Sequence, residues 1–75
     1  MKSVLVIDDD AATRDSLLEL VRSEGFAARG AADLAEARAA LRSTVPALIL
    51  VDLVLPDGSG IAFIQELDLE SRPPV

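Results

Sequence analysis

The sequence contains no cysteine and no histidine. The first absence excludes disulfide staples, thiolate zinc sites and cysteine nucleophiles, and the second removes imidazole bases and imidazole metal ligands. Any metal ion must therefore be held by oxygen. Tryptophan and tyrosine are also missing, and Phe26 and Phe63 are the whole aromatic complement. The bulky core material is Leu, Val and Ile, diluted by 12 alanines. Basic residues are scarce: 7 Lys and Arg against 13 Asp and Glu give a formal charge of −6, which disfavours nonspecific attraction to nucleic acid or anionic lipid. Long apolar runs are lacking too. Residues 4–7 and 47–51 are far too short to span a bilayer, and four apolar residues after Met1-Lys2-Ser3 are too few for a signal peptide. The sequence predicts a soluble, cytoplasmic chain with no membrane or nucleic-acid partner of its own. Its 75 residues suffice for one small domain or a piece of one, with a thin core.

What is present is organised. Val4-Leu5-Val6-Ile7 is a continuous run of β-formers that ends at Asp8-Asp9-Asp10. A run without alternation reads as a strand buried on both faces, as in a parallel sheet. Over residues 11–24 Leu17, Leu18 and Val21 recur at helical spacing, with acidic residues expected at the N-terminal end and Gly25 as the C-terminal cap. Residues 26–29 form a weak second strand. Asp33 then opens a second helix in an acid-x-x-Glu pattern, with Leu34, Ala37 and Leu41 along one face and Pro46 beyond its end. Residues 47–51 are another continuous apolar strand, ended by Asp52. Pro56-Asp57-Gly58-Ser59-Gly60 has loop chemistry, and Ile61, Ile64 and Leu67, with Phe63 beside them, predict a third helix. Ser71-Arg72-Pro73-Pro74 is expected to end it, with a fourth strand beginning at Val75. The order βαβαβα is the signature of right-handed crossovers on a parallel sheet.

Ligands of open α/β sheets bind beyond the carboxyl ends of the strands. Both strong strands end in aspartate, so if they are neighbours Asp8, Asp9 and Asp52 converge. Like charges at such range raise one another's pKa values unless a cation is shared, and a hard ion such as Mg²⁺ resolves the conflict. The bland alternative is that an acidic run after a strand caps the next helix, a role that suits Asp10 best. Gly58 and Gly60 read as turn and helix-entry residues, because a phosphate loop of the Walker type requires a lysine that is absent here. A phosphatase of the Asp-x-Asp-x-Thr kind fits Asp8 and Asp10 but meets Ala12 where Thr is wanted. An EF-hand loop from Asp8 also fails at Ala12 and Thr13. Neither accounts for Asp52.

The acidic pair after the first strand, together with Leu50-Val51-Asp52-Leu53-Val54-Leu55-Pro56-Asp57-Gly58, resembles the receiver domain of two-component response regulators. Gly58 stands one residue early for that pattern, with Gly60 close by. The resemblance implies a flavodoxin-like doubly wound parallel sheet, α/β in class. Residues 1–75 supply its first three βα units, in strand order 2-1-3, and not the last two. By the same resemblance Asp52 is the phospho-acceptor. Asp9 is the direct Mg²⁺ ligand, Asp8 a second acidic residue acting through water, and the Val54 main-chain carbonyl a further ligand. Pro56, Gly58 and Gly60 are structural loop residues. The family's Ser/Thr and Lys belong to units this chain does not contain, and Lys2, at the opposite end of the first strand, cannot replace the Lys.

The resemblance further implies phosphotransfer from a sensor histidine kinase or phosphotransfer protein, coupling to an output domain that is transcriptional by analogy, and no turnover of its own. A second reading is a phosphorylation-independent module that self-associates through the exposed edge of the third strand. A magnesium phosphatase ranks third.

Overall fold

The computed structural model describes residues 2–71. The expected stop at Arg72-Pro73-Pro74 and the strand start at Val75 lie outside the described residues. Strand β1 (Ser3–Ile7) leads into helix α1 (Ala11–Ser23), β2 (Ala27–Ala31), α2 (Leu34–Ser43) and β3 (Leu48–Val51). A two-residue strand β4 (Val54–Leu55) then pairs with β5 (Gly58–Ser59), and α3 (Gly60–Ser71) follows. The main sheet is parallel with order β2-β1-β3, the order that the family resemblance implies.

The alternation of β1 divides the core in two. Leu5 and Ile7 point to one face and join Leu34, Ala37, Ala40, Leu55 and Phe63, whereas Val4 and Val6 point to the other and meet Leu18 of α1. Val4, Leu5, Val6 and Ile7 are all buried, which is why the run is uniformly apolar. With α2 and α3 on one face and α1 on the other, the sheet is doubly wound. The register pairs Ile7 with both Ala31 and Val51, so β1 and β3 end side by side and deliver Asp8 and Asp52 to the same edge.

Each helix begins where its side chains can cap it. Asp10 is the N-cap of α1 and accepts from the Thr13 backbone N–H at 2.9 Å. The first turn of α1 itself holds no acidic residue, so the favourable charge sits just before the helix rather than within it. Gly25 follows α1 at a φ of 92°, and Asp33 caps α2 by accepting from Glu36 N–H at 2.8 Å.

Three local expectations shift. Strand β2 runs over Ala27–Ala31 rather than 26–29, because Ala27 N–H bonds the Lys2 carbonyl and β1 sets the register from there, Ser3 opposite Ala27. The loop over residues 56–60 contains a short antiparallel ladder, with Val54 opposite Ser59 and Leu55 opposite Gly58. In α3 the buried face is Phe63, 1% exposed, with Leu67 one turn on, while Ile61 and Ile64 are about half exposed. Phe63 and Leu67 are four apart and so share a face, and that face is turned to the core by the closure of the hairpin at Gly60.

Candidate functional site at the carboxyl ends of β1 and β3

The site begins with two chain exits that need different solutions. After β1 the chain passes directly into α1. Asp8 N–H continues the ladder to Ala31 carbonyl at 3.0 Å, and Asp10 N–H turns back onto Asp8 Oδ1 at 3.0 Å. After β3 the ladder likewise continues, with Asp52 N–H bonding Ile7 carbonyl at 2.9 Å, but the chain then folds into the hairpin. Val54 N–H approaches Asp52 Oδ1 at 3.4 Å and Gly60 N–H bonds Leu53 carbonyl at 2.9 Å.

Gly60 is the glycine this turn demands. A Cβ built there would lie 2.0 Å from the Asp52 carbonyl oxygen, which no side chain tolerates. Gly58 has a different reason: its φ is 156° and an added Cβ would come within 2.8 Å of Leu34 Cδ1. A side chain would therefore crowd its neighbours at both glycines, and Pro56 stands between β4 and β5 at the hairpin turn.

Asp8, Asp9 and Asp52 each offer a carboxylate oxygen, and the three atoms lie within 4.8 Å of one another. Asp8 and Asp52 are half-buried and Asp9 is exposed. Three oxygen donors, open to water on one side, fit a hard divalent cation such as Mg²⁺, which keeps part of its hydration shell. A shallow depression lined by Ile7, Asp8, Leu17, Leu50, Val51 and Asp52 opens beside them. Lys2 precedes β1 and so stands at the other end of the sheet from this cluster.

Two contributors escaped sequence reasoning. Arg14 reaches back along α1 so that one guanidinium nitrogen donates to the Asp8 carbonyl at 2.8 Å, and its methylenes cross β2 at Gly30, where an added Cβ would meet Arg14 Cδ at 3.1 Å. The signal available was its place four residues beyond the N-cap, one turn into the helix that follows Asp8. Asp57 is the other. Its carboxylate accepts from Leu34 N–H at 2.9 Å and Ala35 N–H at 3.2 Å, at the start of α2. Nothing local in the sequence marks a contact across 23 residues.

Two carboxyls titrate below the usual aspartate range. The Thr13 hydroxyl, followed by the Thr13 backbone N–H, lowers Asp10. The Leu34 backbone N–H does the same for Asp57. Each is a carboxylate held in its charged form by donors at a helix N-terminus.

The whole described fold has known counterparts. Residues 4–75 match the response regulator receiver domain family. The chain belongs to that family. It is 38% identical over 72 residues to the DNA-binding response regulator MtrA of Mycobacterium tuberculosis, a match covering 96% of this chain and 32% of MtrA. It is 39% identical over 70 residues to the phosphate regulon transcriptional regulatory protein PhoB of Escherichia coli, covering 93% of this chain and 31% of PhoB. Among solved structures, the chemotaxis response regulator CheY4 of Vibrio cholerae superposes with a TM-score of 0.88 at 27% identity, over 95% of this chain and 59% of that one. The receiver chain thus spans about a third of the length of the curated relatives it matches. Its flavodoxin-like fold follows from the parallel order β2-β1-β3 with helices on both faces. Among the described residues no helix of the receiver is long and apolar enough to cross a membrane.

Proposed function

We propose that this receiver accepts a phosphoryl group on Asp52 from the phosphohistidine of a sensor histidine kinase or phosphotransfer protein. The observation that carries the reading is the gathering of Asp8, Asp9 and Asp52 within 4.8 Å at the ends of two neighbouring parallel strands. Asp8, Asp9, Asp52 and the Val54 main-chain carbonyl would hold Mg²⁺. When bound, the ion supplies neutralisation of the acidic cluster and of the phosphoryl oxygens. Asp52 is the nucleophile: one carboxylate oxygen forms a bond to phosphorus while the P–N bond of the phosphohistidine breaks, its electron pair remaining on the imidazole nitrogen. The product is an acyl phosphate, suited to a transient signal, and the chain takes part in transfer without being a turnover enzyme. Arg14 steadies the Asp8 peptide, and Gly60 lets the hairpin close against Asp52.

The parent protein carries the signal to an output domain. MtrA is described as DNA-binding and PhoB as a transcriptional regulator, which supports a transcriptional output in the cytoplasm, with DNA contact made outside this segment. Incubation with acetyl phosphate or phosphoramidate and Mg²⁺, read by intact mass, should add one phosphoryl group to the wild type. Asp52→Asn should add none, and chelation of Mg²⁺ should suppress the wild-type signal. Equal labelling of the Asn variant would sink the assignment.

A second reading has its own observation. Among the described residues strand β3 pairs with β1 alone, and Leu48 on it is 53% exposed. This wholly apolar outer strand suits self-association by strand addition. In sedimentation, a charge at Ile49 or Leu50 should disperse the assembly while Asp52→Asn leaves it intact, provided circular dichroism shows both variants folded.

A further inference from the structure

The hairpin that follows Asp52 is fastened at two points. Its root closes at Gly60, whose N–H bonds Leu53 carbonyl and whose Cα sits against the Asp52 peptide. Its tip is Asp57, two bonds of which reach the first two amides of α2. Asp33 already serves the third amide as the local N-cap, so two carboxylates share one helix start: one adjacent in sequence, the other 22 and 23 residues away. A helix N-terminus leaves several N–H groups without intrahelical partners, and a carboxylate there is favoured by the aligned peptide dipoles. The apolar contacts run in parallel. Leu55 of the hairpin is buried in the same cluster as Leu34 and Phe63, and Gly58 leaves space for Leu34 Cδ1.

Val54 lies between the two fastenings, two residues from Asp52 and three from Asp57. A main-chain ligand has no side-chain freedom with which to adjust, so its place is set wholly by the path of the backbone that carries it. We infer that Asp57 is a positioning residue, a latch that ties the Asp52 hairpin to the N-terminus of α2 and so couples the geometry of the acidic site to the first turn of that helix. The inference rests on the reading of Asp8, Asp9, Asp52 and Val54 as a divalent-cation site. Binding free energies couple reciprocally, so a latch that helps the cation bind must itself be tightened by the cation.

The test is amide hydrogen exchange and Mg²⁺ titration by NMR on the full 75-residue chain, comparing wild type, Asp57→Asn and Asp57→Ala. Asn keeps one acceptor oxygen and Ala keeps none. Without Mg²⁺, Asp57→Ala should speed exchange at Val54 and Gly60 by about tenfold, the effect of losing one capping interaction, while the β1 amides stay protected. With Mg²⁺, the wild type should gain protection at Leu34 and Ala35. The apparent Kd should rise about tenfold in Asp57→Ala and by less in Asp57→Asn. Unchanged hairpin exchange overturns the latch. So does an unchanged Kd with Leu34 and Ala35 indifferent to Mg²⁺. If Mg²⁺ moves no resonance at Asp8, Asp9 or Asp52 in the wild type, the cation reading fails, and the metal-free exchange still decides the latch on its own. Should Asp57→Ala lose the dispersed β1 signals, Asp57→Asn carries the same comparison.

Discussion

The two strand exits that build the site solve one problem in opposite ways. At the end of β1, three consecutive aspartates hand the chain straight to α1, and the bonds that turn it there are local: Asp10 N–H to Asp8 and Thr13 N–H to Asp10. At the end of β3 the backbone makes a hairpin, and what fixes it is more distant, a peptide oxygen pressed against Gly60 and a helix start 23 residues upstream of Asp57. A local solution tolerates change one residue at a time, since a lost cap costs only a fraction of the helix. The distant solution depends on the surrounding fold, so a steric fault in it should spread to the core through Leu55 and Phe63.

Gly60→Ala should break the contrast most severely. The new methyl cannot coexist with the Asp52 carbonyl, and the forced backbone shift should cost about 3 kcal/mol, read as a lower urea midpoint and loss of the Val54 to Ser59 pairing. A stability equal to wild type would show that the hairpin closes some other way. Asp10→Ala tests the local exit. It should lower the melting temperature by a few degrees and fray the first turn of α1, leaving the β4–β5 pairing untouched. If hairpin amides respond as strongly as those of α1, the two exits are not independent.

The smallest effect is that of acid on the distant tether. Donation from Leu34 N–H holds the Asp57 pKa below its unfolded value, so the native state binds fewer protons than the unfolded chain as pH falls. The stability Asp57 contributes is complete above about pH 4 and is lost as the pH drops through the lower folded value. In metal-free buffer, the gap in urea midpoint between wild type and Asp57→Asn should stay constant from neutral pH to about pH 5 and shrink below about pH 4. A gap that persists in strong acid would assign the effect to packing instead.

Much of this was legible from residue pattern. The uninterrupted 4–7 run announced a strand covered on both faces, and Val4, Leu5, Val6 and Ile7 are all buried. Asp33 and Glu36 marked the start of α2, and the aspartates after two strong strands pointed to one acidic cluster. The inward face of α3 was not legible, because Ile61, Ile64 and Leu67 form as regular a stripe as Phe63 and Leu67 do. Only the docking of the hairpin chooses between them. The second strand starts one residue and ends two residues later than the 26–29 the pattern predicts, because Ala27-Ala28-Arg29-Gly30-Ala31 has little strand propensity and takes its register from β1.

By itself, then, the sequence determined what is periodic or local: two apolar strands, three helices, their caps, and the acidic residues waiting at strand ends. These follow from backbone hydrogen bonding and hydrophobic period, which act over a few residues. Tertiary structure alone decided that β1 and β3 lie side by side, bringing Asp8, Asp9 and Asp52 within 4.8 Å, that Gly60 must lack a side chain, and that Asp57 closes on α2. Those outcomes depend on which surfaces meet once the sheet is wound, and a contact between residues 22 or more apart leaves no mark in the spacing of either partner.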